Sequence, residues 1–251
     1  MVLTNFKKTV GAGIALSAVL LMGTLISSRS GRASNDNKND NNGAQDEGQM
    51  ISQGFAIAPV PLNLANKDHN LVGLGSFIVN AIADCNGCHN SDPNGSEFAG
   101  PNNPFFLMPP KGPYTGTAKV NPATYLAGGQ VFGPFAPGSA PLISRNLTPD
   151  YRGLAEGGHS LSDFLLMIKT GVDLDKIHPT CTGPTLNTGC VPPPFNGTLL
   201  QVMPWPIFRN MTDRQLQAIY EYLSAIPCID NTTMAPPPGF PNELRNNCTG
   251  K

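Results

Sequence analysis

The sequence predicts a mainly α-helical fold interrupted by long irregular segments. Three observations carry that expectation. Apolar residues recur at three-to-four spacing over 71–84, 161–168 and 212–225. Two of these stretches open on capping boxes, Ser160-x-x-Asp163 and Thr212-x-x-Gln215. Glycine (27) and proline (25) make up about a fifth of the 251 residues and crowd the intervals between the stretches. Charged residues are only 13%, which excludes a coiled coil and a highly charged disordered chain. The net charge of −1 excludes the basic surplus of a general nucleic-acid binder, so no nucleic-acid partner is expected.

The first segment is 1–33. Lys7 and Lys8 precede an apolar run from Val10 to Ile26, and Gly31-Arg32-Ala33 follows. A basic start, an apolar run and small residues at −3 and −1 describe a secretory signal peptide cut after Ala33. An uncleaved anchor is the alternative, and only then is a membrane partner expected. Either way the remainder is expected to leave the cytoplasm for a compartment in which disulfides persist. Cleavage takes Lys7, Lys8, Arg29 and Arg32 from 16 basic residues, leaving 12 against 17 acidic, a net of −5. Residues 34–53 are rich in Asn, Asp and Gln and are expected to form a disordered polar linker. The folded part is expected to begin between 54 and 65 and to run to 251 as one domain.

Leu71, Leu74, Phe77, Ile78, Ala81 and Ile82 define an amphipathic helix over Leu71–Asp84, with Asp68 or Asn70 as its cap. Gly73 and Gly75 lower its intrinsic helicity, and glycines there suit close contact with another helix backbone. Cys85-Asn-Gly-Cys88-His89 comes next. Cys-x-x-Cys-His is the attachment pattern of a c-type haem: two thiols add across the two vinyl groups, and the following histidine supplies the proximal ligand. A thioredoxin-like pair wants a strand before it, where this chain has a helix. A zinc site wants a second cysteine pair at ligand spacing, which Cys181 and Cys190 do not provide.

An iron with one histidine leaves its other axial position to a methionine, a histidine or nothing. Met203 is the first candidate, because Val202-Met203-Pro204-Trp205-Pro206 is a stiff loop that presents one side chain. Met108 before Pro109-Pro110 has a similar local form. His178, His159 and His69 are the histidine alternatives. Met167 and Met211 fit core packing better, the latter as a hydrophobic staple with Leu216.

These pieces in this order resemble class I cytochromes c. That resemblance implies a helix before the haem site, a loop with a ligand methionine, and a terminal helix (here 212–225) that crosses the first. Gly100-Pro101 matches the family's Gly-Pro, which implies that the Pro101 carbonyl accepts from His89 Nδ1–H. A closer likeness is to the cytochrome c domains of alcohol and gluconate dehydrogenase cytochrome subunits. Gly75-Ser-Phe-Ile, Asn146-Leu-Thr-Pro-Asp150, Thr170-Gly-Val-Asp173, Met203-Pro-Trp-Pro, Met211-Thr-Asp and Tyr222-Leu223 carry it. Those subunits hold several haems, whereas this chain has one attachment motif. Their particular dehydrogenase partner is therefore not implied.

Residues 91–201 form a long insertion, expected as irregular loops with a short helix near 122–128. Ser160 opens a further helix with Leu161, Phe164, Leu165 and Ile168 on its apolar face, and Gly171 stops it. Cys181, Cys190, Cys228 and Cys248 allow three pairings. Nearest-neighbour pairing, Cys181–Cys190 and Cys228–Cys248, closes two local loops and staples the tail 228–251. Trp205, Arg145, Arg209 and Tyr220 are candidates for contacts with the haem edge or its propionates, with Trp205 the favoured one.

The expected protein is an exported monohaem c-type cytochrome, in a bacterial periplasm or tethered to its membrane. It would hold one covalent haem c through Cys85 and Cys88 and ligate iron through His89 and Met203. It would carry single electrons between redox partner proteins, a donor dehydrogenase or a terminal acceptor, and would not be an enzyme. The alternative is a small haem enzyme or gas sensor with an open or displaceable sixth ligand, using His159 or His178 beside the iron.

Overall fold

Asp68 starts the central helix. Its carboxylate accepts from the Asn70 and Leu71 amides at 2.9 and 3.1 Å, satisfying two donors that a helix start leaves free. The computed structural model describes residues 40–92, 96–99, 119–137, 139, 141–176, 179–182, 190–231, 246 and 248–250, with side chains from 46 onward. The expectations for 1–33, Pro101, Met108 and His178 fall outside these residues. Among the described residues helix dominates and strands are few. No helix among them is long and apolar enough to cross a membrane.

The elements in order are α1 (Asp40–Ile57), α2 (His69–Phe77), α3 (Cys85–His89), β1 (Val131–Phe132), β2 (Leu142–Ile143), α4 (Leu161–Thr170), α5 (Trp205–Phe208) and α6 (Asp213–Leu223). Helix α2 is buried continuously from Leu71 to Ser76, because α1 and α6 both pack on it. Its glycines make that possible. A β-carbon on Gly73 would stand 2.6 Å from the Phe55 ring and 2.7 Å from Ile51 on α1, and one on Gly75 would stand 1.9 Å from the Ala218 carbonyl oxygen on α6.

The linker expectation is corrected here. Residues 40–53 belong to α1. The expectation weighed composition and missed phase: Ile51, Gly54 and Phe55 share the face turned to α2, while Asp46, Gln49, Met50 and Ser52 stay exposed. Gly54 lies against the Gly73 carbonyl, and the Gly54 carbonyl accepts from the buried Ser76 hydroxyl at 2.7 Å.

The long helix expected to Asp84 is also corrected. After Phe77 the chain widens into a π-helical turn over Ile78–Ile82, closed by Ala83 N–H to the Ile78 carbonyl at 2.8 Å. One extra residue per turn rotates everything beyond it. Ala81 and Ile82, placed inward by a 3.6-residue period, are exposed, Ile82 at 62%.

Both capping boxes form, at Ser160–Asp163 on α4 and Thr212–Gln215 on α6. Gly171 ends α4 in the left-handed region at φ 76°. Helix α6 buries Leu216, Ala218, Ile219, Tyr220, Tyr222 and Leu223 and stops at Ser224, short of the expected 225. The helix expected near 122–128 is instead a run of turns, bonded Thr124 N–H to Asn121 O and Ala127 N–H to Thr124 O at 3.3 Å each. Tyr125, on that run, shares a buried cluster with α6: its hydroxyl lies 2.5 Å from Asn80 Oδ1 and 2.9 Å from the Tyr222 hydroxyl. Strands β1 and β2 pair antiparallel, Val131 with Ile143 and Phe132 with Leu142. Cys181 pairs with Cys190 and Cys228 with Cys248, the nearest-neighbour arrangement.

Candidate functional site

Asp84 sits in the left-handed region at φ 46° and turns the chain from the wide turn into α3. A β-carbon on Gly87 would stand 2.7 Å from an Asp84 carboxylate oxygen, so that the Asp84 side chain would have to turn aside. Helix α3 thereby brings Cys85, Cys88 and His89 to one apolar cavity. The cavity encloses about 1290 Å³ of empty space, its open mouth included. Phe132 and Leu142 from the small sheet, Phe164 and Ile168 from α4, and Leu216 and Ile219 from α6 supply much of the lining.

Met203 reaches the same cavity from the loop 199–204, and Met167 and Met211 line it as well. The Met203 loop is tied down at several points. Leu200 N–H donates to the Gly171 carbonyl at 2.7 Å, Trp205 N–H to the Met203 carbonyl at 2.8 Å, and Gln201 Nε2 to the Leu199 carbonyl at 2.7 Å. Val202, just before Met203, adopts φ 66°, a costly conformation for a β-branched residue that its surroundings must hold.

His89 Nδ1 lies 2.8 Å from the Arg145 carbonyl. A carbonyl only accepts, so Nδ1 carries the proton and Nε2 keeps a lone pair. Burial holds the imidazole below its ordinary pKa and keeps it neutral. The resemblance gave this acceptor role to Pro101, which lies outside the described residues; among the described residues the partner of His89 Nδ1 is the Arg145 carbonyl. Gly128 makes room for it. Its N–H donates to the His89 carbonyl at 2.6 Å, and a β-carbon on it would stand 2.4 Å from the Arg145 carbonyl group.

The Arg145 side chain is 12% exposed and meets three carboxylates: Asp173, Asp175 at 3.1 Å and Glu156 at 3.6 Å. Burial opposes its charge, but the carboxylates outweigh that and hold its pKa above the usual value. Glu156 is pushed up by burial, with Arg145 pulling the other way. His159 does not line the cavity. Its Nε2 lies 3.2 Å from Asp175, which raises the His159 pKa and lowers that of Asp175.

Trp205, the favoured candidate for the haem edge, is not among the residues lining the cavity. Its ring covers Gly171, where a β-carbon would stand 2.2 Å from Cε2, and its Nε1 donates to the Leu200 carbonyl at 3.2 Å. It braces the Met203 loop from behind. Arg209 is exposed and outside the lining, and Tyr220 donates instead to the His159 carbonyl at 2.9 Å.

The two thiols are unpaired with each other. Burial, then the Asp84 charge, pushes Cys85 up to about 12, and the same causes raise Cys88. A dithiol redox centre needs the opposite shift. Glu97 stands beside Asp84, and burial and that neighbour push its carboxyl up to about 7. Neither Glu97 nor Glu156 carries a sequence signal that would have placed it here.

Comparison of the chain with protein-family models, with curated proteins and with solved structures finds no match.

Proposed function

We propose that this chain is an exported monohaem c-type cytochrome of class I type that carries single electrons. The observation that carries the reading is the convergence of Cys85, Cys88, His89 and Met203 on one apolar cavity. The donor set suits the group. Two thiols would give two thioether anchors, a neutral imidazole would offer Nε2, and the Met203 thioether would offer a second ligand atom. The cavity lining is largely apolar, as burial of a porphyrin face requires. When bound, the haem would supply a one-electron Fe(III)/Fe(II) couple.

The residues do the rest. Cys85 and Cys88 fix the position. The Arg145 carbonyl holds the His89 ring and its tautomer, which keeps Nε2 available. Trp205 and Leu200 hold the Met203 loop, so little in the protein has to move as charge changes. A thioether ligand favours the reduced state and raises the potential relative to two histidines. Two disulfides accord with an oxidising compartment such as the periplasm. Electrons would pass to and from redox partner proteins.

The strained Val202 is the observation that favours a second reading, in which Met203 would be displaceable and the cavity would admit a small ligand. His159, engaged with Asp175 outside the cavity lining, gives that reading no acid or base.

Expression with a c-type haem maturation system tests the proposal. Haem that stays on the chain through denaturing electrophoresis, and is lost in a Cys85→Ser/Cys88→Ser double variant, is the expected result. A chain that carries no covalent haem would overturn it.

A further inference from the structure

Arg145 touches two separate parts of the cavity wall. Its carbonyl accepts from His89 Nδ1 at 2.8 Å. Its guanidinium pairs with Asp173 and, at 3.1 Å, with Asp175, just beyond the end of α4. From there the connection continues in hydrogen bonds. Asp173 N–H donates to the Thr198 carbonyl at 2.9 Å, and Leu200 N–H to the Gly171 carbonyl at 2.7 Å. Thr198 and Leu200 lead directly into Met203. The Arg145 backbone itself is held on both sides, by Ser144 N–H to the Gln130 carbonyl at 2.9 Å and Leu147 N–H to the Leu126 carbonyl at 2.8 Å.

We propose that Arg145 is a strut that couples the His89 segment to the Met203 segment and so fixes where His89 Nε2 and the Met203 thioether stand relative to each other. The inference rests on the haem reading above and deepens it. Arg145 acts through other residues and is a positioning residue.

The chemistry suits a strut. Arginine keeps its charge in a buried site and offers a rigid fork to two or more carboxylates at once. Those contacts are screened far less than surface pairs. The Nη1 atom also lies 3.7 Å from Met167 Sδ, so the same side chain engages a thioether that would otherwise be free to compete with Met203. Loss of the guanidinium frees the Asp173 turn, loosens the 197–203 loop and releases Met167 together.

The test uses the haem-loaded chain and two variants, Arg145→Gln and the milder Asp173→Asn, with the exposed Arg152→Gln as control. The readout is the weak near-infrared sulfur-to-iron band of the oxidised protein. Both variants are expected to lose at least half of that band, with the control unchanged. Variants that fold and keep the full band would overturn the strut, because a merely stabilising arginine would lower the melting temperature without touching ligation. If Arg145→Gln does not fold, Asp173→Asn decides alone by the same criterion. A wild-type chain without covalent haem would overturn the haem reading instead. Hydrogen exchange in the haem-free chain then still reads the strut. Exchange at the Leu200 and Asp173 amides about tenfold faster in Asp173→Asn supports it, and unchanged exchange overturns it.

Discussion

Gly75 of α2 and Ala218 of α6 meet backbone to backbone, so that a β-carbon on Gly75 would stand 1.9 Å from the Ala218 carbonyl oxygen. This crossing sets the distance between the helix that leads into Cys85 and the helix that lines the cavity with Leu216 and Ile219. A methyl group there forces the helices apart. Gly75→Ala should cost about 3 kcal/mol in urea unfolding. Gly48→Ala on α1, where nothing lies within 4 Å, should instead gain up to about 1 kcal/mol. Equal effects at the two sites would contradict the crossing.

The two disulfides should differ in worth. Cys228–Cys248 closes 20 residues and Cys181–Cys190 only 9. Loop-entropy reasoning assigns roughly 3 kcal/mol to the first and somewhat less to the second. The longer bridge also holds the tail that brings Asn246 into the core, where its amide donates to the Thr148 carbonyl at 3.1 Å. Replacing Cys228 and Cys248 by serine should therefore lower the melting temperature more than replacing Cys181 and Cys190. The reverse order would argue against the packing of the tail.

Glu97 gives a pH dependence with a definite sign. Its folded pKa, about 7, lies above its ordinary 4.5, mainly through burial and secondly through Asp84. The folded chain thus holds a proton that the unfolded chain releases. The contribution to stability is fully present below pH 4.5 and is lost as pH rises toward 7. Wild-type stability should fall across that window relative to Glu97→Gln, whose profile there should be flatter. Parallel profiles for the two proteins would show that Glu97 does not titrate against Asp84.

The sequence made the helix starts legible because capping is a local code. Asp68, Ser160 and Thr212 each act through an amide two or three residues away; the pattern placed Ser160 and Thr212 outright and left the first cap between Asp68 and Asn70. Gly73 and Gly75 were legible as contact glycines for the same kind of reason: a missing side chain in an apolar helix has few other uses. Helix α1 was not, since a polar stretch with few apolar residues looks like linker until a partner face exists to bury Ile51 and Phe55. The wide turn at Ile78–Ile82 has no signature in residue type, and it moved Ile82 from the expected core to the surface. The acceptor for His89 is a main-chain carbonyl, which any residue can offer. Only the tertiary path around Gly128 decides that it belongs to Arg145. Trp205 was placed beside Met203 by sequence distance, but its ring turns away to cover Gly171.

Among the described residues three methionines line the cavity, and Met203 is the one proposed for the metal. Met167 is held on α4 against Arg145, and Met211 sits as the residue before the α6 cap. The most direct test of the central claim is the near-infrared spectrum of the oxidised, haem-loaded protein in three single variants. The account predicts that the sulfur-to-iron band vanishes in Met203→Leu and persists in Met167→Leu and Met211→Leu. A band that survives Met203→Leu, or that is missing from the wild-type spectrum, would contradict it.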